Sequence, residues 1–149
     1  MYVTVNNKIS TGKSGEFFVA GELERRGFSC ALTYANTKDF DILAINRANY
    51  KQIGIQVKTM HSKDKYWMLS EKCEKVNKDD IFYIFVSLHE LGNPEYHIVP
   101  SAIVAKEITE EHKKWLETPG KKGQPHKDNN RRMFYDKDDR FLDNWDCLK

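Results

Sequence analysis

The run Ile53-Gly54-Ile55-Gln56-Val57-Lys58 carries a carboxamide and an ammonium into an otherwise apolar stretch. Side chains of a strand alternate between the two faces of its sheet, so Gln56 and Lys58 share a face. A lysine among apolar neighbours is costly unless an anion faces it. The nearest upstream candidate is Asp41, in Phe40-Asp41-Ile42-Leu43-Ala44-Ile45. Asp39 has the same parity, but it sits in the polar approach Asn36-Thr37-Lys38, whereas apolar residues flank Asp41 on both sides. On adjoining strands of a hairpin, opposed side chains such as Asp41 and Gln56 stand about 4.5–5.5 Å apart. A carboxylate, the Gln56 carboxamide oxygen and the Val57 main-chain carbonyl are the hard oxygen donors that Mg2+ takes, with waters completing its octahedron. Glu16, one helix away, adds a second carboxylate. A cation held there would polarise a phosphodiester and acidify a bound water, while Lys58 would orient that water or offset charge on the phosphorus.

Several elements must bring these residues together. The string Ser10-Thr11-Gly12-Lys13-Ser14-Gly15 offers capping side chains, and Phe17, Val19, Ala20 and Leu23 then form a helical stripe that ends at Gly27, so a helix is expected over residues 16–26. Strands are expected over 28–34, 40–45 and 52–59, the last two joined as a hairpin by the polar residues 46–51. Residues 65–69 read as a short extra strand, 71–77 as a lysine-rich helical turn or two, and 81–88 as a strand buried on both faces. After Gly92-Asn93-Pro94 come a strand over 96–99 and a helix opened by Pro100-Ser101 and running through 102–108. Residues 118–132, rich in Gly, Pro, Lys, Asn and Arg, have no hydrophobic period and read as an unpacked loop. Phe141, Leu142, Trp145 and Leu148 recover a helical pattern over 138–148, expected as an amphipathic closing helix.

An acidic helix, then a strand with an Asp, then a strand with a residue-x-Lys pair resembles the PD-(D/E)xK, or restriction endonuclease-like, nuclease superfamily, here as Glu16, Asp41 and Gln56-Val57-Lys58 in a QxK variant. The resemblance is closest to small Holliday junction resolvase-type nucleases; it covers residues 11–60, with 81–88 as the next core strand, and does not extend past Pro94. It implies an α/β fold, an αβββαβ core with a central mixed sheet flanked by helices, with a C-terminal helical extension. As one domain over residues 1–149, the core would occupy 10–88 and the extension 95–149. It further implies a divalent-metal-dependent DNA endonuclease using Mg2+, with Mn2+ as substitute. Glu16, Asp41, Gln56 and Lys58 would be catalytic, with Asp41, Gln56, Val57 and Glu16 around the metal. Structure-specific substrates and a homodimer follow from the same resemblance. Gln56 stands where the family usually has an acid and removes one negative charge. A catalytically inactive subunit that binds DNA or a partner is therefore the alternative.

The remaining composition narrows the field. With 149 residues, 40% hydrophobic and 31% charged, one soluble domain with a core is expected. A net charge of +2 is small for a nucleic-acid binder, so DNA contact must come from a local patch. Lys121, Lys122, Lys127, Arg131 and Arg132 crowd one loop, and Lys13 and Lys38 lie near the proposed site; these are the candidate phosphate contacts. Such a charge run is otherwise an ordinary solvated surface. Cys30, Cys73 and Cys147 have neither disulfide nor zinc spacing, and with no signal-like or membrane-spanning run the expectation is a cytoplasmic protein. The five histidines show no ligand spacing, and no Ser-His-Asp, Cys-His or Gly-rich phosphate motif is present.

Overall fold

The computed structural model describes residues 7–34 and 39–149, so Lys38 lies outside the described residues. The first helix, α1, runs Lys8–Arg25 and starts earlier than the sequence pattern suggested. Asn7 is the cap, its side chain accepting from the Ser10 N–H at 2.8 Å, and not the Ser10-Thr11 pair. Glu16 is therefore in the middle of the helix, where the dipole of the first turn gives no reason for an acid. Gly15, Val19 and Leu23 form its buried stripe, and Gly27, at φ 89°, turns the chain out of it.

Strands β1 (Phe28–Leu32), β2 (Ile42–Asn46), β3 (Gln52–Met60), β4 (Tyr66–Ser70), β5 (Ile81–Ser87), β6 (Glu95–Pro100) and β7 (Arg131–Tyr135) follow, with α2 (Ser101–Glu117) between the last two. Five of them make a mixed sheet in the order β1-β2-β3-β5-β6, in which β3 and β5 are parallel and the other pairs antiparallel. Strands β4 and β7 form a separate antiparallel ribbon. The β3-to-β5 crossover thus holds a strand and the 3-10 turn Glu71–Lys75 where a nuclease core would carry a helix; the second helix comes after β6. The extension is helical in α2, and it also supplies an edge strand of the central sheet and half of the ribbon.

Alternation along the strands divides the core into two layers. Ile42, Ala44, Ile55, Val57, Phe82 and Ile84 face α1 and pack with Val19 and Leu23. Tyr83, Phe85 and Val99 point the other way, onto Trp67, Leu69 and Phe134 of the ribbon and Val104 and Ile108 of α2. Every residue of β5 is buried, as its unbroken apolar run requires. Phe85 stacks on Phe134 at 4.4 Å, and the Trp67 Nε1–H donates to the Val86 carbonyl at 3.1 Å, so the ribbon is bound by rings and one buried hydrogen bond.

Two expectations are corrected by this packing. The closing helix is absent: Asp139 and Asp143 have φ of 57° and 51°, which interrupts any helix, and only Trp145–Leu148 coil, as a 3-10 turn. The extended tail covers the outer edge of β6 instead, the Ile98 N–H donating to the Phe141 carbonyl at 3.0 Å and the Asp143 N–H to that of Tyr96 at 2.8 Å. Asp136 fastens the tail, accepting from the Arg140 and Phe141 N–H groups and pairing with buried His97 at 2.6 Å. Nor is the basic loop unpacked. The His126 ring stacks on Trp115 at 4.2 Å and its Nδ1–H donates to the Trp115 carbonyl, while Asp128 bonds His112 at 2.7 Å.

Candidate active site

Asp41 leads into β2 and is held from three directions. Its N–H donates to the Ile55 carbonyl at 2.8 Å, its carbonyl accepts from the N–H and hydroxyl of Thr33, and the ring of the preceding Phe40 lies over Gly54. A Cβ on Gly54 would come within 2.9 Å of the Phe40 ring and 2.6 Å of Ile81, so glycine is required for that close approach. Ile42 pairs with Ile55, which sets Asp41 opposite Gln56. The Asp41 carboxylate reaches across: Oδ2 accepts from the Gln56 Nε2–H and the Val57 N–H, both at 2.8 Å. Asp39 has no place in this group; exposed and at φ 82°, it pairs with Lys78 at 3.8 Å.

Because the N–H and C=O of a strand residue point the same way, the Val57 carbonyl lies on the same edge of β3 as its N–H, beyond the paired end of β2. Lys58 projects from the Gln56 face, half-buried and without a hydrogen bond or ion pair to the described residues. Glu16, with its side chain 23% exposed, approaches from α1. Burial first, and then the charge of Asp41, push the Glu16 carboxyl above its ordinary value, with Lys13 at 3.8 Å opposing. A carboxyl raised by burial and by a neighbouring carboxylate, as Glu16 is, is one that a cation would relieve. Tyr83, paired in register with Gln56, is pushed up by burial and then by a hydrogen bond to Cys73, so its phenol stays neutral.

The donor set fits a hard divalent cation. Asp41 Oδ1 takes no part in the hydrogen bonds to Gln56 and Val57, the Gln56 carboxamide oxygen is not needed by Asp41, and Glu16 brings the second charge; all are oxygens. The set holds only two carboxylates, and among the described residues no cluster of three His, Cys, Asp or Glu is placed to hold a metal. Gln56 has the further property that it donates to Asp41, where a glutamate would repel it.

The candidate phosphate contacts fall apart into groups. Lys13 is exposed on α1 beside Glu16, and Lys121, Lys122 and Lys127 are exposed on the loop after α2. Arg131 and Arg132 belong to β7, not to that loop. Arg132 points inward: it is buried, paired with Glu74 and bonded to the Asn129 and Arg131 carbonyls, which takes it out of reach of a phosphate. Sequence reasoning overlooked Thr33, Phe40 and Gly54, which fix Asp41. Their role depends on contacts across strands that no local pattern announces.

A parallel β3–β5 pair at the centre of a mixed sheet, α1 on one face, an acid at the head of β2 and a residue-x-Lys pair on β3 together define a restriction endonuclease-like fold. Solved structures agree. The chain is similar to a bacterial homing endonuclease, I-Ssp6803I, with TM-score 0.57 and 10% identity over 97% of this chain and 92% of that one. It is also similar to Hjc, a Holliday junction resolvase from Archaeoglobus fulgidus, with TM-score 0.50 and 14% identity over 84% of each chain. The first likeness reaches past Pro94, where the sequence resemblance to resolvases ended. No family model matches the sequence, and no curated protein matches it significantly.

Proposed function

We propose that this protein is a divalent-metal-dependent endonuclease that hydrolyses phosphodiester bonds in DNA. The observation that carries the reading is the meeting of Asp41, Gln56 and Val57 at the open end of the β2–β3 hairpin, with Glu16 beside them and Lys58 unpaired on the same face. Asp41, Glu16, the Gln56 carboxamide oxygen and the Val57 carbonyl would hold Mg2+ or Mn2+. The ion, when bound, supplies Lewis acidity and a more acidic water. Lys58 keeps its ammonium free to orient the nucleophile or to neutralise charge gathering on the phosphoryl oxygens. Asp41, locked by five backbone and side-chain hydrogen bonds, gives the site a fixed centre. Lys13, Lys38, Lys121, Lys122 and Arg131 are the residues we assign to phosphate contact, with a homodimer as the working assembly.

The test is cleavage of branched and linear duplex DNA by the pure chain with Mg2+ or Mn2+. Lys58→Ala should lower the rate by about 10²–10³-fold, the size of losing one preorganised charge donor, and Asp41→Ala should abolish it. Cleavage that survives both substitutions belongs to a contaminant and overturns the reading. A second reading has its own observation: the Gln56 amide already satisfies Asp41, as suits an inactive subunit that binds DNA without metal. Calorimetry with Mg2+ separates the two, since the subunit takes up no ion and binds DNA equally well after Asp41→Ala.

A further inference from the structure

Helix α1 approaches β3 closely where Gly15 meets Thr59. A Cβ built on Gly15 would lie 1.8 Å from Thr59 Oγ1, 2.8 Å from its Cβ and 2.9 Å from its Cγ2. These distances are well inside contact, so any larger residue at position 15 forces the helix outward. Thr59 Oγ1 is buried with no hydrogen-bond partner. Neither feature favours its own element: glycine in a helix interior and an unsatisfied hydroxyl are both destabilising. What the two residues achieve together is proximity, and their chain neighbours show where it matters. Glu16 follows Gly15 on α1, and Lys58 precedes Thr59 on β3.

Resting on the nuclease reading above, we infer that Gly15 and Thr59 are a positioning pair for the site, setting the depth of α1 over β3 and thereby the distance from the Glu16 carboxylate to Asp41. A helix carried on an ordinary alanine stripe would ride higher and hold Glu16 away from the Asp41 edge. Val19, fully buried one turn further along the same stripe, serves the packing of α1 but flanks no site residue.

The experiment is calorimetric titration of Mn2+ into the full-length protein, beside thermal melts. Gly15→Ala should weaken Mn2+ binding about 10–100-fold, as loss of a residue that orients a ligand does. Val19→Ala should lower the melting temperature and leave Mn2+ affinity unchanged. Gly15→Ala combined with Thr59→Gly removes all three atoms the new methyl would strike and should recover most of the affinity. Wild-type affinity in Gly15→Ala, an equal loss in Val19→Ala, or no recovery in the double variant overturns the inference. If Gly15→Ala does not accumulate folded, the double variant is compared with Thr59→Gly alone: tighter Mn2+ binding in the double supports the pair, and equal or weaker binding overturns it. Glu16→Gln separates the two levels. Loss of Mn2+ there with affinity retained in Gly15→Ala sinks the positioning pair alone, wild-type affinity in Glu16→Gln removes Glu16 from the ligand set and overturns the pair with it, and no Mn2+ uptake by the unaltered protein sinks the metal-site reading beneath both.

Discussion

At the scale of single residues, Gln56 decides the character of the site. An amide opposite Asp41 replaces the like-charge repulsion of a second acid by a hydrogen bond of 2.8 Å, so the protein gains stability while a cation held there, as proposed, would lose one charge to bind. Gln56→Glu should therefore tighten Mg2+ binding in calorimetry and lower the melting temperature in EDTA; an unchanged melt would mean that the amide bond contributes nothing. The thiols make a second prediction. Burial pushes Cys30 and Cys147 up to about 11 from 9.0, and Tyr96 up to about 12 from 10.0. These groups are neutral in the fold at pH values where the unfolded chain ionises them, so their contribution is present below pH 9 and is lost as pH climbs from 9 through about 12. Thermal melts across that range should fall steadily, and iodoacetamide should label folded Cys30 and Cys147 slowly until pH approaches their raised values.

At the scale of elements, the ribbon of β4 and β7 does the work that a crossover helix would do elsewhere: it roofs the face of the sheet from which Gln56 and Lys58 project. Phe134 anchors it, fully buried and stacked on Phe85. Phe134→Ala should cost about 3–5 kcal/mol by chemical denaturation; a loss well under that would show that the ribbon is dispensable to the core. The edges of the sheet are also managed at this scale. Glu24, held by Arg47, caps the Cys30 N–H on the outer side of β1, and the tail covers β6. The β6 edge is thus covered, and one outward N–H of the β1 edge is taken by a charged side chain.

At the scale of the whole molecule, a net charge of +2 leaves no general attraction for DNA, so under the proposed function any affinity would depend on a few local cations, of which Lys13, Lys121, Lys122 and Arg131 are exposed. Each phosphate contact contributes a slope of about 0.9 in the dependence of log affinity on log salt. Replacing Lys121 and Lys122 by Ala should reduce that slope by about 1.8 if both touch phosphate, and an unchanged slope would assign them to ordinary surface. Among the described residues no helix is long and apolar enough to cross a membrane.

Local chemistry was enough to read much of this protein from its sequence. Alternation placed Gln56 and Lys58 on one face, the polar turn made 40–59 a hairpin, and apolar flanks separated Asp41 from Asp39. These are properties of residues close in the chain, and strand periodicity carries them directly. Tertiary structure decided what depends on residues far apart. Arg132 turned inward because Glu74 waits under it, the basic loop became ordered because His126 found Trp115, and the tail stayed extended because β6 offered its edge. Gly15 belongs to the same group: a glycine in a helix looks like a defect until the strand it touches is known. The physical reason is that steric fit and the pairing of buried polar groups are settled between elements, and no window along the chain contains both partners.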